Sequence, residues 1–292
     1  MKSGPRLPFL LALSGIAILC VMDALLKTAG AHYPTFQLAF LRFVAGFLWT
    51  GCAVLILRPG FPSGEAIRAN SLRGVIGAVT ATSFFYGLQT LPLAEAIAFS
   101  FLSPLFLALF GALILKEVLG RGTLYGLGFG FLGMLIMTFG QGFVSGTGLF
   151  SGALHLPGVA AATLSAITYA FGLVLLRQRA QQDALILIVL FQTMVPAVLL
   201  AMPAFMVWKP VDPAHLWIFL AIGGLGLGGH MLMANAFKRA EAATLAPAEY
   251  SALVIAALLG FVFFSEVPGL ATFGGASLVI LGTIVAMRGR AG

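Results

Sequence analysis

Four ionisable side chains lie inside long apolar stretches of this sequence: Asp23, Arg42, His230 and Glu249. An ionisable group in the hydrocarbon core costs about 2.5–3.5 kcal/mol on insertion scales, so such residues commonly mark a functional site. Asp23 and Arg42 lie at similar depths, roughly 8–10 Å from one end of their stretches. A salt bridge between them is predicted, either as a structural or coupling pair or as a substrate contact. Alternatively, Asp23 pairs with Lys27 one helical turn on.

His230 and Glu249 also lie at matching depths, near the opposite end of their stretches, and could meet there. Pro247 precedes Glu249, and its missing N–H predicts a bend close to this carboxylate. A buried carboxylate beside an imidazole could take up and release a proton near neutral pH. Glu249 is therefore predicted to be a ligand for a substrate amine or a proton-coupling site. The alternative is a satisfied pair that only holds two helices together.

A wider set of polar and aromatic residues surrounds these charges. Hydroxyl and amide side chains in membrane helices often only bond a neighbouring helix, so each one alone favours a structural role. Their clustering favours a binding cavity, in which tyrosine rings could contact an apolar or cationic group. The residues predicted to bind substrate are Tyr86, Ser83, Ser100, Tyr169, His230, Asn235, Glu249 and Tyr250.

The composition identifies the elements that must position these residues. Of the 292 residues, 60% are hydrophobic and 9% are charged, and the mean hydropathy is +1.06. A soluble domain carries about 25% charged residues, so this surface must face lipid. We predict an all-α integral membrane protein, because an apolar helix of about 20 residues crosses the bilayer. Ten such helices are predicted at about 7–28, 35–57, 72–90, 94–115, 123–140, 157–177, 184–207, 214–236, 244–264 and 268–287.

Positive charges are distributed unevenly between the loops of this topology. Thirteen of the sixteen Lys and Arg residues fall on one side, two fall on the other, and Arg42 lies within a span. The positive-inside rule then places both termini in the cytoplasm of a multi-pass protein of the cell inner (plasma) membrane. This bias accounts for the net charge of +7, so no nucleic-acid partner is predicted.

The second half of the chain repeats the first at an offset of 149 residues. Five matches in register support this repeat: Gly111 with Gly260, Glu117 with Glu266, Thr123 with Thr272, Gly126 with Gly275, and Gly133 with Gly282. Because each half holds five helices, an odd number, the second half must be inverted in the membrane. The predicted halves are residues 1–141 and 142–292. Inverted repeats are a common plan of secondary transporters, with the substrate site between the halves.

Two paired features give the chain a family resemblance: a proline in the fourth and ninth helices, Pro104 and Pro247, and a glutamate after each, Glu117 and Glu266. The sequence resembles the drug/metabolite transporter superfamily and, within it, the EamA-domain family. That resemblance implies two five-helix EamA repeats and a carrier of amino acids or other small metabolites, with YddG-like amino-acid exporters as one candidate subgroup. The first helix, CVMDALLK from Cys20, lacks the usual tryptophan motif. Together with Arg42, it looks closer to members assigned to S-adenosylmethionine or riboflavin.

A secondary transporter that works by alternating access is therefore predicted, most simply an exporter of amino acids, including aromatic ones. The alternatives are an uptake carrier for a larger metabolite such as S-adenosylmethionine or riboflavin, and a membrane receptor or scaffold without transport. The chain carries no nucleophile, zinc or phosphate-loop motif, so no enzyme activity, catalytic residue, cofactor or metal is predicted. The expected partners are a small-molecule substrate and the lipid bilayer.

Glycines at four-residue spacing mark the fifth helix, at Gly122, Gly126 and Gly130, and Gly274 and Gly275 mark the tenth. Such spacing predicts close helix packing, either within the protein or in a homodimer through these two helices. The run from Gly223 to His230 in the eighth helix either serves as a hinge or admits a neighbouring backbone.

Overall fold

The computed structural model describes residues 6–30, 32–90, 99, 101–145, 156–264 and 269–288. These ranges are helical and contain no β-strand. The helices are α1 (Arg6–Gly30), α2 (Thr35–Leu57), α3 (Gly64–Thr90), α4 (Ser103–Ile114), α5 (Arg121–Ser145), α6 (Leu156–Ala180), α7 (Leu185–Met206), α8 (Leu216–Arg239), α9 (Ala242–Glu249), α10 (Ser251–Phe264) and α11 (Leu270–Arg288), with a 3-10 turn at Pro213–His215 before α8.

Six helical segments of the described chain are long and apolar enough to cross a bilayer, and two shorter apolar helices accompany them. Large apolar side chains such as Leu55, Ile56 and Phe263 lie on the outer surface, as lipid contact requires. The prediction of an all-helical membrane protein is confirmed. The six segments are Leu7–Gly30, Thr35–Leu57, Leu156–Ala180, Leu185–Met206, Pro213–Arg239 and Ala242–Phe263, and the two shorter helices are Ser103–Ile114 and Leu270–Ala286.

Three predicted helices differ from those observed. The fourth was predicted at residues 94–115, but residues 101–102 form a turn and α4 begins at Ser103. The third begins at Gly64, eight residues before the predicted start, so Arg68 lies within α3, and Arg73 lies in its third turn instead of at its start and is buried. The ninth is divided at Tyr250 into α9 and α10, three residues after Pro247. Pro247 cannot donate a hydrogen bond to the carbonyl of Ala243, which weakens the turn that precedes the break.

Glycines of α5 and α11 pack directly on each other. A Cβ on Gly126 would lie 2.9 Å from the carbonyl oxygen of Gly282, and a Cβ on Gly133 would lie 2.6 Å from that of Gly275. The sequence numbers rise along one helix as they fall along the other, so the two helices are antiparallel. This face of both helices is covered within one chain, whereas Gly128 and Gly274 meet nothing within 4 Å. A homodimer through α5 and α11, which stays a prediction, would have to use that outer face.

The glycine run of α8 admits two neighbouring helices. A Cβ on Gly223 would lie 2.6 Å from the carbonyl oxygen of Ala45 in α2, and one on Gly229 would lie 2.7 Å from Leu19 in α1. Of the two roles predicted for this run, the contacts favour close packing over a hinge.

Contacts between the two halves of the chain occur in reciprocal pairs. Helix α1 packs against α8 while α6 packs against α3, and these are corresponding pairs at the 149-residue offset. Gly74 of α3 approaches Val195 of α7, and Gly223, its counterpart 149 residues on, approaches Ala45 of α2. Phe101, in the turn before α4, stacks on its own counterpart Tyr250, with ring centroids 6.4 Å apart.

Ion pairs hold together one end of the bundle, which we call the charged end. Arg179 near the end of α6 contacts both Glu65 at the start of α3 and Asp183 in the following loop, each at 2.7 Å. Glu117, after α4, accepts hydrogen bonds from the first two backbone N–H groups of α9, at 3.1 and 2.9 Å. Arg177 of α6 lies 3.5 Å from Glu117.

Aromatic and amide contacts hold together the opposite end, which we call the aromatic end. The Tyr33 hydroxyl lies 2.8 Å from His215 Nδ1 and accepts a hydrogen bond from the backbone of Asp212. Gln37 exchanges two hydrogen bonds with the backbone of Lys209, at 2.7 and 2.8 Å. The start of α2 is thereby fixed to the loop that precedes α8.

Candidate substrate site

The fold brings Asp23 of α1 close to Arg42 of α2. Nη1 of Arg42 lies 3.9 Å from Oδ1 of Asp23, the long end of the range for an ion pair. The Asp23 side chain is 62% exposed and that of Arg42 is 24% exposed. Asp23 lies seven residues, or about 10 Å, from the last residue of α1, so its largely exposed carboxylate lies well inside the span. It can accept a second partner there, such as a substrate amine.

Glu249 pairs with Tyr169 instead of with His230. The Tyr169 hydroxyl of α6 donates to Oε2 of Glu249, the last residue of α9, at 3.1 Å. Glu249 is buried, whereas Tyr169 is 36% exposed and keeps part of its ring free. Helix α9, which ends at Glu249, also packs against α1, the helix that carries Asp23. The bond between Tyr169 and Glu249 therefore lies on helices that are close to the Asp23 helix.

His230 belongs to a different hydrogen-bonded chain, which sequence reasoning missed. Its Nδ1 lies 3.3 Å from Nε2 of Gln192 on α7. The Oε1 atom of Gln192 accepts a hydrogen bond from Arg73 on α3 at 2.7 Å, and Arg73 also donates to the carbonyl of Ile188 at 2.9 Å. Equal depth in the membrane predicted the His230–Glu249 pair, but depth does not determine which face of a helix a side chain occupies.

The other predicted binding residues do not all face the same space. Tyr250 is completely buried, and a Cβ on Gly130 would collide with its ring, so in this conformation it cannot contact a substrate. Asn235 accepts a hydrogen bond from Arg239 at 2.9 Å near the charged end of α8. Tyr86 is exposed and Ser83 is half-buried on α3. Ser100 lies outside the described residues.

Hydroxyl pairs elsewhere link neighbouring helices. Thr80 of α3 donates to Thr168 of α6 at 2.9 Å, and Thr50 of α2 lies 3.2 Å from Thr193 of α7. Both pairs also bond to backbone carbonyls of their own helices. These threonines connect helices, which is the structural role that such residues commonly have in membranes.

A polar cleft of about 680 Å³ opens at the charged end, away from the site described above. Its walls combine Lys116, Arg177 and Arg179 with Glu65 and Glu117. None of the predicted binding residues lines it. Among the described residues, no group of three His, Cys, Asp or Glu side chains is placed to hold a metal ion.

These observations define the class, a helical multi-pass membrane protein with charged groups of both signs in its interior. A profile of the EamA-like transporter family matches residues 6–139 and, a second time, residues 156–288. The chain therefore belongs to the EamA-like transporter family, within the drug/metabolite transporter superfamily. It is a transporter of small metabolites and not an enzyme.

Similar proteins include both exporters and importers. The pseudopaline exporter of Pseudomonas aeruginosa is 31% identical over 301 residues, covering 100% of this chain and 98% of that protein. The S-adenosylmethionine uptake transporter of Rickettsia prowazekii is 25% identical over 90% of this chain and 86% of that protein. Human solute carrier family 35 member G1 is 28% identical over 85% of this chain and 70% of that protein. One solved crystal structure matches with a TM-score of 0.80 at 24% identity, covering 96% of this chain and 97% of its own, which shows the fold.

Proposed function

We propose that this protein exports an amino-acid-type metabolite across the inner membrane by alternating access, with the substrate held between Asp23–Arg42 and Tyr169–Glu249. The observation that carries the proposal is the presence of both charges in one interior region. A zwitterion needs a carboxylate for its amine and a guanidinium for its carboxylate, and Asp23 and Arg42 offer these groups 3.9 Å apart. Their loose pairing leaves each able to exchange its partner for a substrate group.

Support for ten spans in two inverted halves comes from the reciprocal contacts. In an interface with two-fold symmetry, residue i meets residue j while j meets i. Gly126 meets Gly282, the counterpart of Gly133, and Gly133 meets Gly275, the counterpart of Gly126. The second family match begins at residue 156, close to the proposed boundary between the halves 1–141 and 142–292. The proposed substrate site accordingly lies at the axis between the halves, as in other transporters built from inverted repeats.

The orientation we propose puts the charged end in the cytoplasm. The described chain begins with Arg6 and ends with Arg288 at this end, and Arg177, Arg179, Lys238 and Arg239 lie there as well. Basic residues next to spans favour the cytoplasmic side. Fusion of a cytoplasmic reporter and a periplasmic reporter to the C-terminus tests it, because only the cytoplasmic reporter is expected to be active.

The pseudopaline exporter supports export over uptake, because its similarity to this chain extends over 98% of its own length. Uptake of a larger metabolite remains the second candidate, and the S-adenosylmethionine uptake transporters support it. S-adenosylmethionine also carries an amino-acid group, so both candidates make the same demand on Asp23 and Arg42. The two substrates differ in size, so they require different volumes in the rest of the substrate cavity.

Counterflow in proteoliposomes is the test. Purified protein is reconstituted with an unlabelled compound inside, and accumulation of the labelled compound is followed for a panel of amino acids, riboflavin and S-adenosylmethionine. We expect saturable counterflow of at least one amino acid, lost in Asp23→Asn and in Arg42→Gln. Asp212→Asn is the matched control, because this carboxylate lies at the aromatic end and only caps a 3-10 turn. Counterflow of S-adenosylmethionine or riboflavin alone would favour the second candidate, and counterflow unaffected by both site variants would refute the proposed site.

A further inference from the structure

The hydrogen-bonded chain from Arg73 to His230 runs from a buried charge to a partly exposed ring. Arg73 is 5% exposed, whereas Gln192 and His230 are both half-buried. Three helices contribute one side chain each, α3, α7 and α8. Helix α8, which carries His230, packs against both α1 and α2, the helices that carry Asp23 and Arg42 of the proposed substrate site. The chain therefore ends next to the space in which the substrate is proposed to bind.

Donor and acceptor chemistry determines which atom carries the proton in each hydrogen bond between Arg73, Gln192 and His230. A guanidinium donates and never accepts, so the Gln192 atom that faces Arg73 must be its carbonyl oxygen. The atom that faces His230 is then the amide nitrogen of Gln192, which also only donates. Nδ1 of His230 must accept that hydrogen bond with its lone pair. The ring proton is consequently on Nε2, the nitrogen that this chain leaves free.

We infer that Arg73 and Gln192 are positioning residues that hold His230 as a neutral ring with its Nε2–H available to the substrate. This N–H is a subsite for an acceptor group, and in an amino-acid-type substrate that group is a carboxylate oxygen. The inference rests on the proposed function for the identity of the substrate. It also changes the role predicted for His230, from proton exchange with Glu249 to donation of a fixed hydrogen bond.

Arg73 is suited to orienting Gln192 because two hydrogen bonds hold its own guanidinium in place. It donates to the Ile188 carbonyl as well as to Gln192, and both acceptors lie on α7. A buried cation without a carboxylate partner is costly, and membrane proteins keep such groups mainly where they have a function. No carboxylate within ion-pair distance of Arg73 is found in the part of the chain that the structure describes.

Nitrogen NMR of the histidine ring tests the tautomer without any substrate. Protein labelled with ¹⁵N only in its four histidines is compared with His230→Asn, which identifies the His230 signals. At neutral pH we expect the signals of an unprotonated Nδ1 and a protonated Nε2 for His230. In Gln192→Glu the carboxylate can only accept, so the ring proton must appear on Nδ1, whereas Arg73→Lys keeps a donor and leaves the pattern unchanged. A protonated Nδ1 in the natural protein, or no change in Gln192→Glu, would overturn the inference.

Transport by two matched variants tests the subsite. Glutamine places its N–H close to the position of Nε2, whereas the shorter asparagine reaches only the position of Nδ1. With the labelled amino acid that shows counterflow, we expect His230→Asn to lower the rate at least about ten-fold and His230→Gln no more than about three-fold, as loss or retention of one hydrogen bond to a charged group predicts. Equal losses would refute the subsite. If no amino acid shows counterflow, the proposed function fails, while the NMR result still decides the tautomer.

Discussion

The Tyr169 hydroxyl donates a hydrogen bond to Glu249 at 3.1 Å and so connects α6 to the last residue of α9. The acceptor is buried and the donor is partly exposed, so part of the tyrosine ring stays accessible beside the buried carboxylate. The same carboxylate ends α9 at the break that follows Pro247. A movement of α9 relative to α6 would therefore break this bond.

A double-mutant cycle measures the link between these two residues. A hydrogen bond to a charged group contributes about 1.5–3 kcal/mol, so Tyr169→Phe and Glu249→Leu, which removes the acceptor, should each lower counterflow about ten-fold or more. Because both remove one interaction, the double variant should lose little more than the worse single variant. Tyr125→Phe, a change on the exposed surface of α5, is the control and should transport normally. Fully additive losses would contradict the link.

The packing of α5 on α11 predicts a steric effect with an internal control. Gly133→Ala forces a methyl group to within 2.6 Å of the Gly275 carbonyl oxygen, whereas Gly128→Ala meets nothing within 4 Å. Overpacking commonly costs about 1–3 kcal/mol, so Gly133→Ala should lower the melting temperature measured in detergent. Gly128→Ala should be neutral or slightly stabilising, because alanine is the better helix former. Equal melting temperatures for the two variants would refute the close contact.

Glu117 is expected to stabilise the start of α9. Its carboxylate accepts from the backbone N–H groups of Ala242 and Ala243 and lies 3.5 Å from Arg177. Removing one member of a buried ion pair commonly costs about 3–5 kcal/mol, so Glu117→Ala should lower the melting temperature more than any exposed substitution. Glu117→Gln keeps a hydrogen-bond acceptor and should lose less. A loss in Arg177→Gln that simply adds to that of Glu117→Gln would show that the two residues do not interact.

Low pH should weaken the charged end. Burial by itself raises the pKa of Asp183, yet hydrogen bonds from Arg179 and Asn70 hold that pKa below its ordinary value of 3.8. The charged carboxylate therefore stabilises the fold fully above pH 3.8, and this contribution is lost as the pH falls through the lowered pKa. Asp183→Asn should reduce the melting temperature at neutral pH, and the difference from the natural protein should shrink below pH 3.8. An unchanged difference would contradict this role of Asp183.

Sequence reasoning succeeded where apolar length alone decides the structure. The second helix was predicted at residues 35–57 and is found at Thr35–Leu57, between Pro34 and the left-handed residue Arg58. The start of α3 was missed because Glu65 and Arg68 lower the local hydropathy, although Glu65 is paired with Arg179 of α6. Such compensation depends on a helix more than 100 residues further along the chain, which a local window of sequence does not contain.

The candidate site was predicted only in part, for a related reason. Depth along a helix follows from residue counting, and it brought Asp23 and Arg42 together. The direction in which a side chain points depends on how each helix is rotated, and equal depth therefore failed for His230 and Glu249. Gln192 offered no signal as an uncharged residue in an apolar run, and only its position between Arg73 and His230 reveals its importance.

The stacking of Phe101 on Tyr250 has an evolutionary consequence. An interface in which equivalent residues meet each other could equally be built by two copies of one five-helix ancestor inserted in opposite directions. Joining the copies into one gene would have let substitutions occur in one half without being repeated in the other. The charged groups record this divergence, since the counterparts of Asp23, Arg42, His230 and Glu249 at the 149-residue offset are Gly172, Phe191, Ala81 and Ser100. With the proposed inverted repeat, such a fusion would keep a symmetric framework while allowing a one-sided chemistry to evolve inside it.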